Sequence, residues 1–374
     1  MDEYTNHHFV PQFHLRRFST DDRQLSVGLF NIGKSKFVPR ASIKTQASRY
    51  KLYGASVRER MIGQIEGMCS IAINTMLKER AVPEPMSRDH LNLLVHVVLQ
   101  SARTPEAGQQ WEDSVTQLMR TIMKQNPKPQ FAPEGFDKVR IRIQNPVDEI
   151  MAMRISSLPL LGDLNYALLL NPTGFPFITS DHPVVFYNQF FERRQQVIGS
   201  GGAAVRGLQI FFPISPTHYL IFYDGGVYDF GKGVMRGVAV KATDADVRAL
   251  NGLQVISAQN HLYFSVAVSE THVRALVDEF RPKRQGAPIF QKTYSIPGHR
   301  DNPDGTFSTF FFSSMETLQI GLRLTCISEK PEVKKAAIRP NGHHFRTREH
   351  YAGLNESFRR QLRQHPGNPS RLRG

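Results

Sequence analysis

The stretch from Asn6 to Ser19, NHHFVPQFHLRRFS, sets His7, His8, Gln12 and Arg16 among Phe9, Phe13, Leu15 and Phe18. Imidazoles exchange protons near neutral pH, and guanidinium groups clasp carboxylates or phosphates. Such a set inside an apolar series is either a site or a plug that anchors the leading segment. His7 and His8 are adjacent, so in an extended segment they point to opposite sides, one toward a ligand and the other toward its neighbours. Pro11 suits the first turn of a short helix that packs Leu15 and Phe18 inward and leaves Arg16 free to reach an anion.

A second polar knot, Ser180-Asp181-His182-Pro183, lies between the apolar runs Phe177-Ile178 and Val184-Val185-Phe186. Asp181 reads as a general base, a metal ligand or the carboxylate that orients His7 or His8; it reads equally as a turn residue accepting backbone amides. Arg103 ends an apolar helix with Gln100 one turn earlier, and if buried it needs a carboxylate, for which Asp181 and Glu66 are the candidates. Asn251 and Gln259 read as ligand contacts or as capping and turn chemistry. Histidine, aspartate and arginine on a basic protein suit phosphodiester hydrolysis. In that scheme His7, His8 and Asp181 are catalytic, Gln12, Arg16, Arg103, His182 and Asn251 bind substrate, and a divalent metal is an admissible cofactor. The alternatives are a non-catalytic binding module for a nucleotide, and a buried network that locks the N-terminus onto the fold.

The 374 residues carry a net charge of +14, with 40% hydrophobic and 21% charged residues, a globular composition. From Pro331 to Gly374 there are ten Lys or Arg and three Glu, half of the net charge. That segment reads as a weakly structured basic arm suited to nucleic acid or nucleotides. Cys69 and Cys326 are too few and too far apart for a disulfide framework or a zinc site. The opening MDEYTNHHF lacks a basic leader with an apolar run, and no apolar stretch reaches membrane-spanning length, so the expectation is a cytoplasmic protein without membrane contact. Phosphate loops, GxGxxG after a strand, GxSxG, HExxH and CxxC are all missing, which sets aside the common nucleotide enzymes and hydrolases.

Alternating residues from Leu25 to Thr45 around Asn31-Ile32-Gly33-Lys34 predict a β-hairpin. Helical spacing predicts helices over about 57–79, from a Ser87 cap to Arg103, over about 106–124 and over about 147–157. Short apolar runs follow: YALLLNP, FPFITSDHPVVFYN, GLQIFFPISP and HYLIFYD predict buried strands, Thr243 caps a helix to about Ser257, and HLYFSVAV predicts a last strand. The fold class is therefore α+β: one domain over 1–330, with an antiparallel sheet, a helical subdomain at about 56–157, a mainly β part at about 158–330, and the tail 331–374.

The blocks HHFVPQFHLRRF, LQSARTP, FITSDHPVV and LNGLQVISAQNHLYFS, in this order from His7 to about Ser265, resemble the bacterial domain-of-unknown-function family four-two-three-eight. That family has no established activity. Some members are similar to stand-alone anti-phage defence proteins, so the resemblance implies a toxic effector or a sensor of a phage component. The family's third block usually reads TSDNP; here His182 stands in place of the Asn and adds a titratable group. HHxxP is also similar to the opening of ββα-metal nucleases, yet after His14 no histidine occurs until His90, too far for that motif.

Overall fold

The computed structural model describes residues 6–53, 56–125, 133–195, 199–231, 239–284, 290–297, 309–318, 320–335 and 348. The chain opens with β1 (Asn6–His8), α1 (Gln12–Arg16), the hairpin β2 (Ser26–Asn31) and β3 (Lys36–Ser42), a 3-10 turn at Ile43–Thr45, and β4 (Ser48–Tyr50). Four helices follow: α2 (Ser56–Glu79), α3 (Arg88–Ala102), α4 (Pro105–Gln125) and α5 (Pro146–Ser156). Next come β5 (Asn165–Leu170), β6 (Thr179–Ser180), β7 (Val185–Tyr187), α6 (Gln189–Glu192), β8 (Gln209–Ser215), β9 (His218–Tyr223), β10 (Tyr228–Phe230) and β11 (Val240–Lys241). The chain continues with α7 (Asp244–Ser257), β12 (His261–Phe264), α8 (Glu270–Phe280), β13 (Phe290–Pro297), β14 (Thr309–Glu316), β15 (Ile327–Glu329) and α9 (Pro331–Lys335).

The fold is α+β with mainly antiparallel sheets. Strands run β11-β5-β9-β8-β7 in a five-stranded sheet, antiparallel except for the β11–β5 pair. Its strands are continuously apolar because both faces are covered. Leu169, Phe211, Tyr219 and Ile221 enter a core shared with α7 and α8, whereas Leu168, Phe212, Leu220 and Phe222 meet Ile73, Leu94 and Val97 of α2 and α3. A four-stranded antiparallel sheet, β3-β2-β12-β6, sets β6 against β12 and offers β2 to α1. There Leu15 and Phe18 pack on Val27, Leu29 and Tyr263.

Capping agrees with the sequence. Ser87 Oγ accepts from the amide of His90, and Thr243 and Asp246 form a reciprocal capping box at α7. HLYFSVAV differs from expectation, since the strand stops at Phe264 and Ser269 caps α8 soon afterwards. The apolar run conceals the switch; only from Val273 does the spacing of Val273, Leu276, Val277 and Phe280 become helical. Of the expected basic arm, α9 is described with Val333 buried, as is Arg348, whose guanidinium donates to Asp163 Oδ2 at 2.8 Å and to the Val205 carbonyl at 3.1 Å. The rest of the arm lies outside the described residues. Among the described residues no helix is long and apolar enough to cross a membrane.

Gly252 lies where α7 crosses α8, and a methyl group there would overlap the ring of Phe280. Gly252→Ala should therefore destabilise the protein by about 1–3 kcal/mol despite alanine's better helix propensity, as a chemical denaturation midpoint would record.

Candidate functional site

The N-terminal segment is gripped from α3. Gln100 Nε2 donates to the Phe9 carbonyl at 2.8 Å, and Arg103, one turn on, donates through one terminal nitrogen to the His8 carbonyl at 2.5 Å. The other terminal nitrogen of Arg103 meets Glu66 Oε1 at 2.6 Å, and its Nε donates to the Tyr53 hydroxyl at 3.1 Å. Of the two carboxylates considered for this buried arginine, Glu66 is the one it pairs with.

β1 pairs with β4, so its side chains alternate. His7 turns inward, stacks on Tyr53 with ring centroids 5.0 Å apart, and accepts the Tyr53 amide at Nδ1. His8 turns the other way, into a cleft of about 480 Å³ between α1 and α2. Its Nδ1 donates to the Gln46 carbonyl at 3.1 Å, which fixes the tautomer and leaves Nε2 to accept from Gln12 Nε2 at 2.9 Å. Burial lowers the pKa of His8, which favours the neutral ring. Gln12 in turn accepts from Arg16 at 3.1 Å, and Arg16 is exposed at the cleft mouth.

The opposite wall is one face of α2: Glu59, Gly63, Glu66, Gly67 and Ser70. No atom lies within 4 Å of where a Cβ would sit at Gly63 or Gly67, so the glycines leave open space instead of admitting a neighbouring side chain. Glu59 Oε2 is buried without a hydrogen-bond partner among the described residues, and burial raises the pKa of Glu59. Sequence reasoning passed over Glu59 and Tyr53. The spacing of Glu59, Gly63, Glu66, Gly67 and Ser70 along one helical face is the signal that could have found this wall. Among the described residues no three His, Cys, Asp or Glu side chains gather as a metal site. Of the cleft's other potential ligands, Glu66 is held by Arg103 and His8 is bonded through both nitrogens.

Asp181, His182 and Asn251 do not line this cleft. Asp181 is buried, and its Oδ1 accepts from the Gln259 amide at 2.7 Å while Oδ2 accepts from Asn260 and His261 at 2.8 and 2.9 Å. Burial pushes its pKa up to about 6, with the three amides pulling the other way. The charged neighbour it meets from the helical part is Glu106 at the start of α4, whose pKa is raised by burial and further by Asp181. His182 is buried and bonded at Nδ1 to Ser257 Oγ at 3.1 Å. Asn251 spans the Ile178 amide and the Pro176 carbonyl, each at 3.0 Å. With Gln254 bonded to Ser180 and Pro183, one stripe of α7 holds the whole 176–183 segment. The expectation that His7 or His8, Arg103 and Asp181 share one site is thus corrected: Arg103 and His8 meet, while the Asp181 carboxylate serves the turn before β12.

The family described as Protein of unknown function (DUF4238) matches residues 6–267, well over half of the chain. The chain belongs to this family. The four blocks quoted from the sequence fall within that range, on the N-terminal segment, the end of α3 that clamps it, the segment around 176–183 and the α7 stripe that holds that segment. No curated protein matches the chain, and no solved structure does.

Asp181→Ala leaves three amides without their acceptor and should cost about 2–4 kcal/mol of unfolding free energy, measured by urea titration. Histidine burial predicts an acid effect. Burial holds His14 at about 3, with Arg17 adding to it, and His182 at about 4, against about 6.5 when unfolded. The unfolded chain therefore binds more protons between pH 6.5 and 4, and this stabilisation, complete above pH 6.5, is lost as pH falls through that window. Asp181, raised to about 6, acts with the opposite sign between pH 6 and its unfolded value and offsets part of that loss. His182→Asn, which removes the titratable ring, should flatten the fall in stability between pH 6.5 and 4.

Proposed function

We propose that the protein is a nucleotide-binding module whose site is the cleft between α1 and α2. The observation that carries this reading is the chemistry of the two walls: Arg16 and Gln12 on one side, Glu59 and Glu66 on the other, above the open floor at Gly63 and Gly67. Arg16 is a ligand for phosphate, Glu59 accepts from ribose hydroxyls or a base amino group, and Phe13 offers an apolar surface to the base. A glycine inside a helix costs about 0.5–1 kcal/mol relative to alanine. Two of them facing empty space are consistent with a surface kept clear for a ligand.

Phosphodiester hydrolysis, the chemistry the residue types first suggest, asks for a base at His8. Its only lone pair accepts from Gln12, so proton abstraction would first require Gln12 to swing aside. Binding without turnover needs no such step. In the anti-phage setting that the family resemblance implies, such a module senses a nucleotide and passes the signal on.

Calorimetric titration of the full chain with mononucleotides tests the reading. Micromolar binding is expected, weakened at least about tenfold by Arg16→Ala with an unchanged melting temperature, since this side chain is exposed. The double substitution Gly63→Ala with Gly67→Ala should raise the melting temperature and weaken binding together. Absence of nucleotide binding, or full affinity in the double variant, would overturn the proposal; phosphodiester turnover lost in His8→Ala would replace it with the catalytic reading.

A further inference from the structure

From Arg23 to Arg58 the chain holds eight of its 47 Lys and Arg residues and none of its 33 Asp and Glu. This charge bias falls on one continuous piece of structure: the end of the loop before β2, the edge strand β3, the 3-10 turn and β4. Arg23, Lys34, Lys36, Arg40, Lys44, Arg49 and Lys51 are all exposed, and none makes a salt bridge within the described residues. Arg281, from the turn after α8, donates to the Ile32 carbonyl and to Ser35 Oγ and brings another cation to the hairpin tip.

Lysines on an edge strand discourage pairing with other chains, and one or two suffice for that. Solubility alone favours both signs interspersed. Neither accounts for seven cations with no acid between them, nor for the aromatic residue in their midst. Tyr50 is 65% exposed, between Arg49 and Lys51, with Lys51 Nζ 5.5 Å from its ring centroid. Lys51 adopts a φ of 48°, a left-handed conformation uncommon outside glycine, at the residue whose ammonium lies beside the ring. An exposed ring among exposed cations, of which Arg49 has an acid, Glu106, within electrostatic reach, is an arrangement that takes a base on its face and the flanking phosphates on its sides.

We propose that β3, the 3-10 turn and β4 form a single-strand nucleic-acid face, with Lys36, Arg40, Lys44 and Arg49 on phosphates and Tyr50 stacked on a base. None of these residues lines the α1–α2 cleft, so the face stands independently of the nucleotide reading. A single strand fits better than a duplex, because a paired base cannot offer its face to Tyr50.

Fluorescence anisotropy with a labelled oligothymidine and the full chain tests the assignment. Four phosphate contacts predict a slope of log affinity against log salt near −3. The triple substitution Lys36→Glu, Arg40→Glu and Lys44→Glu should weaken binding about a hundredfold and reduce that slope by about 2. Tyr50→Ala should weaken it about tenfold with the slope unchanged. Arg16→Ala should bind the strand as the wild type does, and its failure to do so would move the strand into the cleft and overturn the proposal. So would wild-type affinity in the triple variant, which would assign the binding to the C-terminal basic segment, or equal competition by a blunt duplex, which would remove stacking.

Discussion

A backbone carbonyl or amide buried outside a helix or sheet must find a partner inside the protein, and two segments of this chain depend on that requirement. One is the entry segment around His8 and Phe9, whose carbonyls are met by Arg103 and Gln100. The other is the 176–183 segment, too irregular to be satisfied by β6 and β7 alone, which takes its bonds from Asn251, Gln254 and Ser257 along α7. Asp181 closes the system by holding three amides at the start of β12. The polar segments of this chain are therefore joined through backbone groups, in two pairs distant in sequence.

This division of labour separates residues that shape the protein from those left to act. Asp181, His182 and Asn251 are buried and bonded within the fold, and removing one exposes its partners to desolvation without solvent access. His8, Gln12, Arg16 and Glu59 have a cleft before them instead. The Arg103–Glu66 pair belongs to both groups, since it fixes β1 from one side and forms part of the cleft from the other. Its guanidinium, bonded three ways in the interior, positions the wall and is poorly placed to swing toward a ligand.

Buried imidazoles form the second organising feature. His14 is bonded to Thr179 and stacked on Phe212, and His96 lies tilted against the same ring. Burial lowers the pKa of both. They act as neutral, flat fillers between α1, α3 and the five-stranded sheet, and link the entry segment to the sheet core. Charge gathers elsewhere, on the outer edge at β3 and β4, where water solvates it.

Much of the architecture was legible in the residue pattern. The hairpin of β2 and β3, helices α2 to α5 and α7, and the buried strands β5, β8 and β9 follow from periodicity and caps, because these elements satisfy their backbone bonds locally or with the next strand. The alternation of His7 and His8 followed from strand geometry, and Glu66 was already a candidate partner for Arg103. What the sequence could not determine was which polar residue faces solvent and which faces a backbone amide. Asp181 looks the same as a general base and as a turn clamp until β12 is set against β6. The open floor of α2 is likewise invisible in Gly63 and Gly67 until α1 is seen to stop short of them. Both depend on contacts between segments more than forty residues apart, and such contacts are decided by how the sheets and helices pack, not by the local pattern of the chain.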